Sequence, residues 1–172
     1  MSETPPMTDT ASDSSERVAV RDLEQLRDLS ERLARQARRS IDLVSRDLEP
    51  RIYDQNGFID AVRALATRGR GVRIRLLVHS VEAVVAADHR LLELSRRLSS
   101  FIEIRKLGEE DGNFNEAFLI ADGSGYIHRP QSDRVEGEAC LYDRLRAREL
   151  VRIFTELWDR SASDPNVRRL HI

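Results

Sequence analysis

Cysteine occurs once in this 172-residue chain, at Cys140, so no disulfide can form within it. A lone thiol fits a reducing compartment, and the expected location is the cytoplasm. No apolar run approaches the roughly 20 residues that cross a bilayer, so no membrane-spanning helix is expected. Met1 to Glu16 lacks both an apolar core and a basic start, the two marks of a signal peptide. Lysine is almost missing: of 28 basic residues only Lys106 is one. Arginine suits planar, bidentate recognition of phosphate or carboxylate. Along the chain, however, arginines alternate with acids, so the sequence offers no broad basic face for duplex DNA. His79, His89, His128 and His171 are scattered, and with one cysteine they form no recognisable metal set. No cofactor is implied. Thr67-Arg-Gly-Arg-Gly71 looks like a phosphate-cradling loop, yet it opens onto a strand rather than a helix, and it reads as a helix stop.

What is present is a core-forming sequence, 40% hydrophobic and 34% charged, of a length suited to one domain. Residues 1–17 are rich in Ser, Thr, Pro and Asp with little to bury, and are expected to be a disordered tail. Residues 18–172 are expected to fold as a single unit. Leu23, Leu26, Leu29, Leu33 and Ala37 make a helical stripe over Asp22 to Arg39. Ser40 to Ser45 reads as a strand, Arg46 to Gln55 as a loop, and Asn56 as the N-cap of a helix that ends at Gly69. In Val72 to Val78 the side chains of Val72, Ile74, Leu76 and Val78 point one way, with Arg73, Arg75 and Leu77 opposite.

Helix is expected from Val81 to Ser99, broken near Asp88, which caps its second half. His89 is placed on the helix surface. Phe101 to Arg105 is a short strand. Ala117 to Ala121 is apolar on both sides, as a central buried strand should be. Asp122-Gly-Ser-Gly125 turns the chain into Tyr126 to His128, a hairpin. Glu138 to Tyr142 is a further strand. A final helix, Arg144 to Arg160, buries Leu145, Val151, Phe154, Leu157 and Trp158. Cys140 reads as a buried structural thiol. Strands alternating with helices, then a hairpin, predict an α/β fold: a mixed, largely parallel sheet with helices on both faces.

The run Ser40-Ile-Asp-Leu-Val-Ser45, the helix from Phe58 to Gly69 and the strand Gly71-Val-Arg-Ile-Arg-Leu-Leu-Val78 resemble the opening of a phospholipase D-type half-domain. The resemblance spans Leu23 to Trp158 as a pattern rather than as identity, and suggests a bacterial branch. The superfamily carries H-x-K-x-x-x-x-D on and after a central strand, commonly followed by G-S-x-N. Its His is the nucleophile and its Lys holds phosphate. The corresponding stretch here is Asn115-Glu-Ala117-Phe-Leu-Ile-Ala-Asp122. Asn115 stands for the His, Ala117 for the Lys, and Asp122 alone is retained. No G-S-x-N follows, the chain reading Ile127-His-Arg-Pro130. An amide is a poor nucleophile and alanine carries no charge, so the usual phosphodiester chemistry loses both its attacking group and its cation.

The resemblance therefore implies a degenerate cleft and a pseudoenzyme. Asp122 reads as a turn residue before Gly123. Polar groups at the carboxyl ends of parallel strands are the remaining cleft candidates. Asp47, beside Arg46, follows the first strand, and His79 and Ser80 follow the second, although Ser80 also suits a helix cap. His128 and Arg129 are candidate replacements for the lost base and cation. The leading expectation is a non-catalytic binding or regulatory module. The alternatives are a divergent enzyme on phosphate esters and a nucleic-acid-binding protein. Superfamily halves pack in pairs, which implies a homodimer. A phosphate-containing ligand or nucleic acid is the expected partner class, with no membrane.

Overall fold

The computed structural model describes residues 15–168, so most of the expected tail, and His171, lie outside the described residues. The strands are β1 (Val18–Val20), β2 (Ser40–Ser45), β3 (Arg73–Val78), β4 (Ile102–Lys106), β5 (Ala117–Ala121), β6 (Gly125–Arg129) and β7 (Gly137–Cys140). The helices are α1 (Leu23–Gln36), α2 (Pro50–Tyr53), α3 (Asn56–Ala66), α4 (Val81–Ala86), α5 (Arg90–Arg97), α6 (Arg144–Arg160) and α7 (Pro165–Arg168). One mixed sheet runs in the order β1-β7-β6-β5-β2-β3-β4. Helices α1, α3 and α5 cover one face through Leu26, Leu33, Phe58, Val62 and Leu91. Helix α6 covers the other with Ala147, Leu150, Phe154 and Leu157.

The sheet is mixed as expected, but it is not largely parallel. Only β2–β3 and β3–β4 pair in parallel. The pairs β2–β5, β5–β6, β6–β7 and β1–β7 are antiparallel. Parallel neighbours need a crossover helix, and only the first half of the chain supplies them; the second half proceeds by tight turns. Strand β1, three residues long, went unread because Val-Ala-Val is too short to show a period.

Local chemistry accounts for the element ends. Asp22 caps α1 by accepting from the Gln25 N–H at 2.8 Å. Pro50 opens α2 inside what the sequence offered as a loop. Gln55 rather than Asn56 is the N-cap of α3, and its side chain makes no capping bond. The break near Asp88 is real, with Asp88 at φ 49°, but His89 does the capping: its Nδ1 accepts from Leu91 N–H at 3.1 Å. His89 is therefore not a surface residue. It is 1% exposed, and Nε2 donates to the Leu48 carbonyl at 2.8 Å.

Leu145 is likewise misplaced by periodicity, being 76% exposed in the first turn of α6, outside the apolar stripe. Arg75 is buried, because α6 covers that side of the sheet. Its Nε donates to Asp42 Oδ1 at 2.7 Å on the adjacent strand, and its guanidinium stacks over Phe154 at 4.8 Å.

Burial lowers the pKa of His89, so the folded state resists the proton that the unfolded chain accepts near 6.5. Above that pH both states are neutral and stability is flat. As pH falls through 6.5 toward the lowered folded value, the unfolded state gains a proton that the folded state refuses. Stability then drops by up to about 1.4 kcal/mol per pH unit for one such group. His89→Gln is expected to lower the melting temperature at pH 7.5 but to reduce its further fall between pH 7.5 and 5.5. An unchanged fall would remove His89 as the cause.

Candidate functional site

At one edge of the sheet the carboxyl ends of β2, β3 and β6 meet the amino end of β5. The register Val44↔Phe118 and Ala117↔Arg129 brings together the residues after β2, before β5 and after β6. There Arg129 is 1% exposed, although its head group cannot lose its charge. Its two terminal nitrogens grip Glu49: Nη1 donates to Oε2 at 3.3 Å and Nη2 to Oε1. Nη1 also donates to the carbonyls of Arg134 at 2.8 Å and Ser132 at 3.4 Å. Ser45 Oγ donates to Glu49 Oε1 at 3.4 Å. Burial pushes the neighbouring Tyr53 phenol up to about 12, so it stays protonated.

Asn115, just before β5, is part of the same cluster. Ser132 Oγ donates to Asn115 Oδ1 at 3.0 Å, and the Ser132 N–H donates to the Asn115 carbonyl at 2.8 Å. Ala117 is fully buried and is the cross-strand partner of Arg129, so the two Cβ atoms share a face. A guanidinium from the next strand therefore lies beside position 117. Glu49 neutralises it. A shallow 460 Å³ depression outside this pair is lined by Arg46, Asp47, Glu49, Arg51, Ser132 and Asp133.

The other cleft candidates divide. His128 and Arg129 are neighbours in sequence and sit on opposite faces of β6, so they do not form the base-and-cation pair that adjacency suggested. His128 Nε2 donates to Glu116 Oε1 at 2.7 Å, and its Nδ1 lies 3.4 Å from Arg146 Nη2. Both ring nitrogens are engaged. Asp47 Oδ1 accepts from the Glu49 N–H at 3.1 Å, a local turn contact. Ser80 Oγ accepts from the Ala83 N–H at 3.1 Å and caps α4. His79 keeps a buried, unpartnered Nε2. Burial, and next the charge of Arg46, lower its pKa.

Asp122 lies at the opposite edge, far from Asn115. Its carboxylate accepts backbone N–H bonds from Arg38 at 2.9 Å, Arg39 at 2.8 Å and Ser40 at 3.0 Å. It also takes φ 56° ahead of Gly123 at φ 61°. Sequence reading missed Glu49, Tyr53 and Ser132. Nothing in their spacing marks them, because their meeting depends on the β2–β5–β6 register. Among the described residues no group of three or more His, Cys, Asp or Glu is placed to hold a metal ion, and no helix is long and apolar enough to cross a membrane. Cys140 is buried, and burial raises its thiol pKa.

This sheet order and helix placement define a phospholipase D-like α/β fold, shared with Nuc from Salmonella typhimurium, a phospholipase D family member. The two align with a TM-score of 0.60 at 14% identity, covering 87% of this chain and 99% of that one. NucT from Helicobacter pylori aligns with a TM-score of 0.62 at 10% identity over the same shares. TrmBL2, described as an archaeal chromatin protein with a novel mode of DNA binding, aligns at 0.66 and 15% identity. That match covers 91% of this chain but only 57% of TrmBL2. Residues 22–170 match the domain of unknown function DUF7931, and the chain belongs to that family. No curated protein matches the sequence.

Asp122 holds the α1–β2 connection through those three N–H groups. Asp122→Asn retains Oδ1, which takes most of them, and tolerates the positive φ; its cost is expected to stay below about 1 kcal/mol. Asp122→Leu loses every acceptor and strains the turn, at about 2–3 kcal/mol. Urea unfolding of the pair checks this, and equal losses would show that the N–H bonds are not what Asp122 supplies.

Proposed function

We propose that the protein is a non-catalytic binding or regulatory module, a pseudoenzyme on a degenerate phospholipase D-like fold. The observation that carries this reading is the Arg129–Glu49 pair. A phosphate-holding cation must offer its N–H groups to a ligand, whereas Arg129 is buried with a carboxylate and two carbonyls already on it. Asn115, in the place of the nucleophile, brings an amide bound to Ser132. The reading as a divergent phosphate-ester enzyme draws only on His79, since His128 is held by Glu116 and Arg146 on the far face. Asp47 and Ser80 act in local turns and caps. Nucleic-acid binding is the second reading, favoured by the DNA-binding description of TrmBL2. A cytoplasmic location accords with the single buried thiol.

The expected result is no hydrolysis of bis-p-nitrophenyl phosphate above background. Turnover that disappears in His79→Ala while the fold persists would establish the enzyme reading instead.

We further propose that two copies pair, as the halves of this superfamily do. Nuc and NucT support it in one respect: each is matched over 99% of its chain by 87% of this one, so the shared unit is about the size of those chains. Light scattering at tens of micromolar is expected to give twice the 19.7 kDa of one chain. A mass of one chain at that concentration would exclude a stable pair.

A further inference from the structure

The edge of the sheet opposite the Arg129 cluster gathers charge that the sequence disperses. Arg38 and Arg39 close the α1–β2 connection, Arg68 and Arg70 occupy the α3–β3 connection, and Arg73 opens β3. The two connections touch, since the Arg73 N–H donates to the Arg39 carbonyl at 2.9 Å where β2 and β3 begin in register. All five side chains are exposed, and none holds a carboxylate. The acids near them are already used. Asp122 is turned onto the backbone N–H groups of Arg38, Arg39 and Ser40, and Asp60 is paired with Arg63. Some arginines elsewhere, such as Arg35, Arg97 and Arg160, hold carboxylates, while others, such as Arg32, Arg148 and Arg152, are exposed singly on helices. The acidic run Glu109-Glu110-Asp111 follows β4 toward the other edge.

Five free guanidiniums on a chain of net charge −2 form a local positive field. Gly69 at φ 83° and Gly71 at φ 84° build the turn that projects Arg70. A Cβ on either would meet nothing within 4 Å, so these glycines serve the backbone conformation and not a close-fitting ligand. The turn around Gly69 and Gly71 thus stands in open space. Guanidinium forks match phosphate oxygens bidentately.

We infer that this edge binds the phosphodiester backbone of double-stranded DNA. The binding is independent of whether the Arg129 cleft is inactive. Two observations favour a duplex. No exposed aromatic ring lies among the five arginines, so there is no platform on which unpaired bases would stack. The exposed large apolar side chains of the described residues, Val18, Tyr142 and Leu145, lie beyond the β5–β6 hairpin on the β7 side. The arginine field therefore has no apolar wedge for lipid. Backbone contacts without groove-reading side chains give binding that ignores sequence.

The test titrates the full chain into a fluorescein-labelled DNA duplex of about 20 base pairs across a salt series. Neutralising about five phosphates gives a slope of log K against log salt near −4.5. Arg68→Gln/Arg70→Gln/Arg73→Gln is expected to weaken binding at least tenfold at low salt and to flatten the slope by about 3. Arg38→Gln/Arg39→Gln flattens it by about 2 on the same basis. Melting temperatures should stay unchanged, since these side chains are exposed and hold no ion pair among the described residues. Arg46→Gln/Arg51→Gln at the cleft edge should leave binding intact. No binding at 50 mM salt overturns the inference. So does loss of binding in the Arg46/Arg51 variant but not in the two edge variants. Tighter association with vesicles containing phosphatidylserine than with duplex, uncompeted by DNA, assigns the edge to a membrane and overturns it as well.

Discussion

A guanidinium that cannot be discharged sits inside the sheet edge at Arg129, and much of the local structure follows from satisfying it. Burying such a charge costs several kcal/mol unless a counter-charge and acceptors meet it. Glu49 supplies the counter-charge, held in place because Leu48 adopts φ 58° and Asp47 takes the Glu49 N–H. The remaining N–H groups claim carbonyls at 132 and 134, which fixes the loop between β6 and β7. That loop carries Ser132 to Asn115. Three segments distant in sequence thus hang on one ion pair. Removing a single partner would leave the other charge buried alone, a larger loss than removing both.

The two-residue period of a strand decides the chemistry more than sequence adjacency does. His128 and Arg129 are consecutive and therefore separated by the thickness of the sheet. Ala117 and Arg129, twelve positions apart, are direct cross-strand neighbours. The same rule pairs Asp42 with Arg75 across β2 and β3, under the rings of Phe154 and Trp158. One Arg75 nitrogen, Nη2, remains without a partner, so the pairing is strong in geometry but incomplete.

Much of the fold was legible because propensity, period and capping agreed. Ser40–Ser45 and Ala117–Ala121 carry enough consecutive apolar residues to announce buried strands, and Asp22 announces a helix start. Where the reading failed, one signal stood for two outcomes. His89 is polar, yet its two ring nitrogens find the Leu48 carbonyl and the Leu91 N–H, so burial is permitted. Leu145 fits a helical stripe numerically but falls in the first turn, ahead of the covered surface. The site was less legible still. Asn115, Ala117 and Asp122 were placed by motif spacing, whereas Glu49, Tyr53 and Ser132 became neighbours only through strand register.

That register also decides where charge is available to another molecule. At the carboxyl edge of β2, the cation most deeply set is neutralised by a carboxylate and shut off from solvent. At the opposite edge Asp122 carries negative charge too, but three backbone N–H groups take up its oxygens and leave none for a guanidinium. Five exposed arginines lie there on adjoining backbone segments. Like charges so placed repel over a Debye length of about 8–10 Å, and a polyanion relieves that repulsion where a single carboxylate would relieve only part. The neutralised pair at one edge and the exposed arginines at the other are physically separate features. Charge able to meet another molecule therefore lies at the amino ends of β2 and β3 rather than at the Arg129–Glu49 pair.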